Sequence, residues 1–266
     1  MAIVSAGATS LDVIQVGQGR DLVLFHSLLT DRTVFDPVIA ALKRGRRLTL
    51  VNLPGFGASD PAGPAIEDYA DRVALLFPVL GLKAETTDLL AMSFGGFVAI
   101  ALAARLGHLF NHLVLVDTAA AFPEPAKAPL RGMAERALRD GMGAVVDTAL
   151  RRMFTERFIA AHPDVVATRS ETLVRARPEH FATACRALAD LDLRPVLGTI
   201  KNPTLVIVGA LDVTTPPALA RELAAGIPGA RLAEIPECAH CPPIEQPAEF
   251  ARLVAAFLGV RSCNTT

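Results

Sequence analysis

Asp88-Leu89-Leu90-Ala91-Met92-Ser93-Phe94-Gly95-Gly96 is the stretch on which the reading of this chain turns. Asp88–Met92 is a short apolar run, as expected of a strand buried on both faces. Phe94–Leu106 continues as a helix, with Gly96 and Ala99 on its packing side. A serine between them needs a sharp, strained turn, and only small residues fit two places before and after it. Ala91 and Gly95 occupy those places. Such a turn lifts the serine clear of the sheet, where a base can activate its hydroxyl. The pentapeptide alone recurs by chance; the strand before it and the helix after it give it weight.

Working outward, the sequence predicts strands at Ala2–Ala6, Leu11–Val16, Leu22–His26, Leu48–Leu53 and Leu113–Asp117. It predicts helices from Asp31 to Arg44, capped by Thr30, and over Ile66–Leu80. This alternation indicates a mostly parallel, doubly wound α/β sheet. The rhythm breaks after Asp117: from Ala119 to about Asp192 only helical patterning is found. It resumes with a strand at Thr204–Gly209, a helix at Pro217–Ala225, a strand at Arg231–Ile235 and a helix at Ala248–Leu258. A simple crossover takes ~30 residues. The excess reads as an inserted helical cap over residues 119–190, above the carboxyl ends of the strands, with 1–118 and 191–266 as the core.

Composition excludes several classes. The 266 residues are 52% hydrophobic and 20% charged, which rules out disorder. Lys+Arg number 26 against 27 Asp+Glu, so no electrostatic reason exists to bind nucleic acid or anionic lipid. The densest basic cluster, Lys43, Arg44, Arg46 and Arg47, reads as a solvated helix end. No apolar run approaches the ~18 residues of a membrane span. Met1–Gly7 has no basic segment and too short an apolar core for a signal peptide, so the expected location is the cytoplasm. Asn264-Thr265-Thr266 matches a glycosylation sequon that has no meaning without secretion.

A serine nucleophile needs a base and an orienting acid. Asp212 follows the strand Thr204–Gly209 within Gly209-Ala210-Leu211-Asp212; alone it would read as a helix N-cap for the segment from Thr215. His240 lies in the loop after Arg231–Ile235. Ser93, Asp212 and His240 follow one another in the order of a nucleophile-elbow triad, each just past the end of a strand. Asp117 is a rival acid, read here as a strand-end carboxylate at the mouth of the site. A tetrahedral intermediate also needs two backbone N–H donors. Phe94 offers one, and Leu28, in the loop after Leu22–His26, is the expected second.

These motifs, with Asn52-Leu53-Pro54-Gly55-Phe56-Gly57-Ala58-Ser59 and Ala239-His240-Cys241-Pro242-Pro243-Ile244-Glu245-Gln246-Pro247, resemble the α/β-hydrolase superfamily over nearly the full chain. Ser27-Leu28-Leu29-Thr30-Asp31, Phe35-Asp36-Pro37 and Asp192-Leu193-Arg194-Pro195 bring it nearest the 3-oxoadipate enol-lactone hydrolases. Ala91 stands where the elbow usually has its first Gly, His26-Ser27 where the superfamily usually has His-Gly, and Cys238 where Gly or Ser is more usual. The resemblance implies a cofactor-free serine hydrolase of a small ester or lactone. Two other readings share the triad: a hydrolase of carbon–carbon bonds in ring-cleavage products, and a small-molecule receptor with little turnover.

Other candidate sites recede. Cys238-x-x-Cys241 lacks two further ligands of matching spacing for zinc, since Cys185 and Cys263 are isolated. As a redox pair it lies late in the chain, with prolines directly after it. Gly17-x-Gly19 and Gly55-x-Gly57 lack the spacing of a dinucleotide fingerprint, so neither metal nor cofactor is implied. The expected partner is a small-molecule substrate, not nucleic acid or membrane, and a homo-oligomer stays open. An enol-lactone substrate would carry a carboxylate, and a cavity choosing it should offer a cation. Arg131, Arg136, Arg151 and Arg152 are the candidates in the inserted region, and sequence does not rank them.

Overall fold

A computed structural model describes residues 2–7 and 9–259. Cys263 and the Asn264 sequon lie outside the described residues. The strands are β1 (Ala2–Ala6), β2 (Thr9–Gly17), β3 (Arg20–Phe25), β4 (Arg46–Val51), β5 (Thr87–Met92), β6 (Leu113–Val116), β7 (Thr204–Gly209) and β8 (Arg231–Ile235). They form an 8-stranded sheet in the order β1-β2-β4-β3-β5-β6-β7-β8. β2 runs antiparallel to β1 and β4, and every other pairing is parallel. Every residue of β5, β6 and β7 is buried, as the unbroken apolar runs require of strands covered on both faces.

The covering layers come from α1 (Asp36–Leu42), α2 (Ile66–Ala74), α3 (Leu76–Val79), α4 (Phe94–Leu106), α5 (Glu124–Asp140), α6 (Val146–Met153), α7 (Glu156–Ala161), α8 (Pro163–Val174), α9 (Pro178–Asp190), α10 (Pro217–Gly226), α11 (Pro242–Glu245) and α12 (Pro247–Leu258). Helix α4 is buried from Phe94 to Ala103, which explains its lack of a polar stripe. Chain order and strand order part company at β3: the chain goes out to β4 and returns across β3 to β5. That crossing is the topological switch point, where open α/β sheets present a crevice. Parallel register aligns Phe25 with Ala91, Met92 with Val116, Val116 with Ile207 and Gly209 with Ile235. The loops carrying Leu28, Ser93, Asp117, Asp212 and His240 therefore all leave the same edge of the sheet.

Helices α5–α9 fill the gap between β6 and β7, where only helical patterning was expected. Their ends meet: Ala121 forms an antiparallel bridge with Asp192, and Leu193 N–H donates to Ala120 O at 2.8 Å. Side chains tie this segment to the loops at the carboxyl edge. Arg169 Nη1 donates to Thr33 Oγ1 at 2.9 Å, and His180 Nδ1 lies 3.1 Å from Gly55 O.

The basic cluster is corrected by the structure. Lys43 does cap the end of α1 and is exposed. Arg46, however, is 2% exposed and opens β4; its Nη1 meets Asp88 Oδ2 at 2.6 Å and its Nη2 donates to Leu258 O at 2.9 Å. Arg47 pairs with Asp21. A run of basic residues hid a clamp joining β4, β5 and the end of α12, because its acidic partner is distant in sequence. Losing either side of that buried pair would strand a charge, at about 3–5 kcal/mol. The cap after β3 also moves by one residue. Asp31, not Thr30, accepts from Thr33 N–H at 2.9 Å and opens a 3₁₀ turn before α1.

Candidate active site

Ser93 sits between β5 and α4 at φ 49°, in the left-handed region that costs a side chain about 1–3 kcal/mol. The turn is held from several sides. Ser93 N–H donates to Val116 O at 2.7 Å, and Thr118 Oγ1 donates to Ser93 O at 3.0 Å. Gly95 N–H donates to His26 O at 3.0 Å. The glycines are steric requirements: a Cβ on Gly95 would stand 2.7 Å from His26 O, and one on Gly96 2.6 Å from Thr118. Small residues thus let the helix start press against β3 and β6.

The three residues expected to cooperate are adjacent. His240 Nε2 lies 2.8 Å from Ser93 Oγ, and His240 Nδ1 lies 2.7 Å from Asp212 Oδ2. All three are buried, with Ser93 the most accessible at 6%. Asp212 performs the N-cap task as well. Its Oδ1 accepts from Thr214 N–H at 2.7 Å and Thr215 N–H at 3.1 Å, and its Oδ2 also accepts from Thr215 Oγ1 at 2.8 Å. Burial alone would raise its pKa, but His240 and these donors outweigh burial and hold the carboxyl below its ordinary value.

The acid and histidine loops are zipped together. Leu211 N–H donates to Cys238 O at 2.8 Å, and a Cβ on Gly209 would meet Ala239 O at 2.0 Å. Glu245 adds a brace that sequence reasoning missed. Its Oε2 accepts from Ala239 N–H, next to His240, while its Oε1 accepts from Thr155 N–H at 2.8 Å and Oγ1 at 2.9 Å. The histidine loop is thereby fastened to the start of α7.

Asp117 shares the site. Its carboxylate lies with Asp212 and His240 in a group whose ligand-capable atoms are within 4.8 Å of one another. Both His240 nitrogens of this group already face Ser93 and Asp212. Asp117 is fully buried, at φ 44°, and accepts Gly209 N–H at 2.8 Å. Burial and the neighbouring Asp212 push its pKa well above the ordinary carboxylate value. Burial and the neighbouring carboxylate thus disfavour charge on Asp117, while His240 and the threonine donors favour it on Asp212.

The N–H groups of Leu28 and Phe94 meet no acceptor among the described residues. The bond from Gly95 to His26 O draws the loop bearing Leu28 onto the elbow. His26 is a second residue whose task was not legible in the sequence. Its Nδ1 faces Ser27 O at 2.7 Å, and its Nε2 accepts Leu53 N–H at 3.0 Å. The ring is fixed as the neutral Nδ1–H tautomer, and burial pushes its pKa down to about 4. The unfolded chain, near 6.5, then binds a proton that the fold refuses, so stability is present above pH 6.5 and falls as pH drops toward 4. The loss expected from this group is about 3 kcal/mol. Urea midpoints of wild type and His26→Asn at pH 7 and pH 4.5 check it: the wild type should lose more on acidification, and equal slopes would refute the assignment.

Cys185, Cys238 and Cys241 are free, buried thiols. Burial, then Asp117 and Glu245, push Cys238 and Cys241 above the ordinary thiol value, which disfavours the reactive thiolate. No helix among the described residues is long and apolar enough to cross a membrane.

Comparison with known proteins agrees with this geometry. Residues 22–253 match the family described as "Alpha/beta hydrolase family". The chain is 32% identical over 240 residues to 3-oxoadipate enol-lactonase 2 of Acinetobacter baylyi, covering 89% of this chain and 88% of that protein. It is 31% identical to the pimeloyl-[acyl-carrier protein] methyl ester esterase of Chromobacterium violaceum, covering 94% of this chain and 98% of that protein. The crystal structure of the enol-lactonase from Burkholderia xenovorans LB400 superposes with a TM-score of 0.91 at 32% identity, covering 97% of this chain and 100% of that one. With the elbow, the mostly parallel sheet and a family match across most of its length, the chain belongs to the alpha/beta hydrolase family.

Proposed function

We propose that this protein is a serine hydrolase of small esters or lactones that works through an acyl-enzyme on Ser93. The observation that carries the reading is the continuous relay Ser93 Oγ, His240 and Asp212, with contacts of 2.8 and 2.7 Å in a buried site. Support for ester chemistry comes from relatives named as an enol-lactonase and a methyl ester esterase.

His240 Nε2 takes the Ser93 proton as Oγ attacks the carbonyl carbon. The oxyanion accepts hydrogen bonds from Leu28 N–H and Phe94 N–H, the latter at a helix start where the dipole favours negative charge. Asp212 holds Nδ1–H and stabilises the imidazolium. As the tetrahedral intermediate collapses, the carbon–oxygen bond of the leaving group breaks and His240 returns the proton to that oxygen. Water then attacks the acyl-enzyme with His240 as base, releasing the acid and restoring Ser93. Helices α5–α9 act as a cap that shapes the acyl pocket. Within this class an enol-lactone of aromatic catabolism, cleaved in the cytoplasm, is the favoured substrate. Its enol oxygen leaves easily because it can become a ketone, so specificity falls to the cavity.

A fluorophosphonate should label Ser93 alone, identified by mass spectrometry, and block turnover of a 4-nitrophenyl ester. Label on another residue would take the nucleophile's role from Ser93, and release that stalls near one product per chain would remove the enzymatic reading in favour of a receptor.

A further inference from the structure

Arg44 and Arg46 belong to the basic run Lys43–Arg47 and have no part in the proposed chemistry, yet both line a cleft of about 900 Å³ between α1 and α12. The shape of the cleft follows from helix periodicity. Ala248, Ala251, Ala255 and Leu258 recur at three- and four-residue steps, so they share one face of α12. That face spans roughly 15 Å at ~1.5 Å per residue. Pro37 and Ala41 supply the α1 side. All but Leu258 are short side chains, and between them they leave an apolar trough along the helix pair.

Charge gathers at one end of the trough. Parallel register sets Arg20 beside Arg46 at the starts of β3 and β4, and Arg20 N–H donates to Gly45 O at 3.2 Å, which brings Arg44 to the same corner. Arg252 joins them from α12, and no Asp or Glu is among the described residues that line the cleft. Two of the four cations are committed. Arg46 holds Asp88 and Leu258 O, and Arg252 holds Glu249 through bonds of 2.7 and 2.6 Å. Arg46 is buried, and its Nε has no hydrogen-bond partner among the described residues. Arg20 and Arg44 are exposed. Arg20 gives one bond, to Glu85 O, and Arg44 has no hydrogen-bond or ion-pair partner among the described residues. Leu258 O, at the end of α12, would repel an anion, but Arg46 already binds it.

Two uncommitted guanidinium groups at the end of an apolar trough, with a third buried beside them, suit a ligand that is anionic at one end and apolar along its length. A carboxylate matches the planar fork of N–H donors. A run of methylenes gains by leaving water for the face of α12. We infer that this cleft binds a medium-chain fatty carboxylate, with its head group at Arg20 and Arg44 and its chain along α12. Net charge gives no hint of such a site, because 26 cations and 27 anions over the whole chain average away a local excess. The cleft is lined by none of Ser93, Asp212 and His240, so it is separate from the site proposed for catalysis and does not depend on that proposal.

Isothermal titration of the full chain with octanoate and decanoate, each below its micelle concentration, tests the inference. Decanoate should bind roughly 10-fold more tightly, as two further buried methylenes provide. Octanol, with the chain of octanoate and no charge, should bind about 10-fold more weakly than octanoate. Decanoate carrying a terminal diazirine, photolysed on the protein, locates the site by mass spectrometry: the label should fall within residues 37–46 and 247–259. Arg20→Gln combined with Arg44→Gln should weaken decanoate about 10-fold. Ala255→Phe, which fills the trough, should remove the label from α12, and Arg139→Gln should change neither result. Absence of binding, label confined to other residues, equal affinity for octanol and octanoate, or unchanged affinity in the double arginine variant overturns the inference. Binding to phosphatidylglycerol vesicles without binding of monomeric decanoate also overturns it, and makes the face a membrane contact instead.

Discussion

Ser93→Ala should lower kcat by about 10⁴–10⁶-fold, the range found when a member of a nucleophile–base–acid relay is removed. The expectation is local. Ser93 Oγ has His240 Nε2 as its hydrogen-bond partner, so its loss deletes the attacking atom and leaves the backbone bonds of the elbow in place. The alanine inherits the strained φ of 49° but adds no atom to a crowded turn. Thermal unfolding should therefore stay close to wild type while turnover collapses. His240→Ala should cost a similar factor, and the double variant little more, because the two act as one unit. Burst and steady-state release of 4-nitrophenol measure these losses directly. Full activity in Ser93→Ala would end the proposed mechanism.

Asp212→Asn should reduce kcat by about 10⁴-fold, through the tautomer of His240 rather than through lost structure. Asp212 Oδ2 accepts from His240 Nδ1 at 2.7 Å while its other oxygen receives two backbone N–H groups. An amide can keep its oxygen toward those N–H groups only by turning its NH₂ toward Nδ1. That places the ring proton on Nε2, where a base for Ser93 is needed. Asp117→Asn should cost far less, under about tenfold, since His240 Nδ1 is bonded to Asp212 rather than Asp117 and an amide oxygen can still accept Gly209 N–H. Measured together, the two variants decide which carboxylate serves His240. The reverse ranking would hand the role to Asp117.

Local pattern carried much of this into the sequence. Phe94–Leu106 and Thr204–Gly209 have the expected bounds because burial leaves an apolar run with abrupt ends, and Arg231–Ile235 matches too although it is an edge strand exposed at Arg231, Leu232 and Glu234. Ser93, Asp212 and His240 were legible because each follows a strand in the expected chain order. What escaped depends on partners far along the chain. Arg46 looked like a solvated charge until Asp88 and Leu258 O stood beside it. Glu245 gave no hint that it would fasten Ala239 to Thr155. The buried helix α11 was hidden by Pro242-Pro243, which suit a first helical turn but read as a loop.

The bridge between Ala121 and Asp192 has a consequence in chain statistics. The polymer leaves the sheet after β6 and returns before β7 through points that touch, so the core meets a closed loop rather than a long tether. Loop entropy grows only logarithmically, with each doubling of length costing about 0.6 kcal/mol. The sheet edge that holds Ser93, Asp212 and His240 is therefore nearly indifferent to how many residues run between those points. Helices there can be lengthened, shortened or exchanged over evolutionary time without refolding the scaffold beneath. Such an arrangement lets one unchanging reaction be offered to a succession of different molecules.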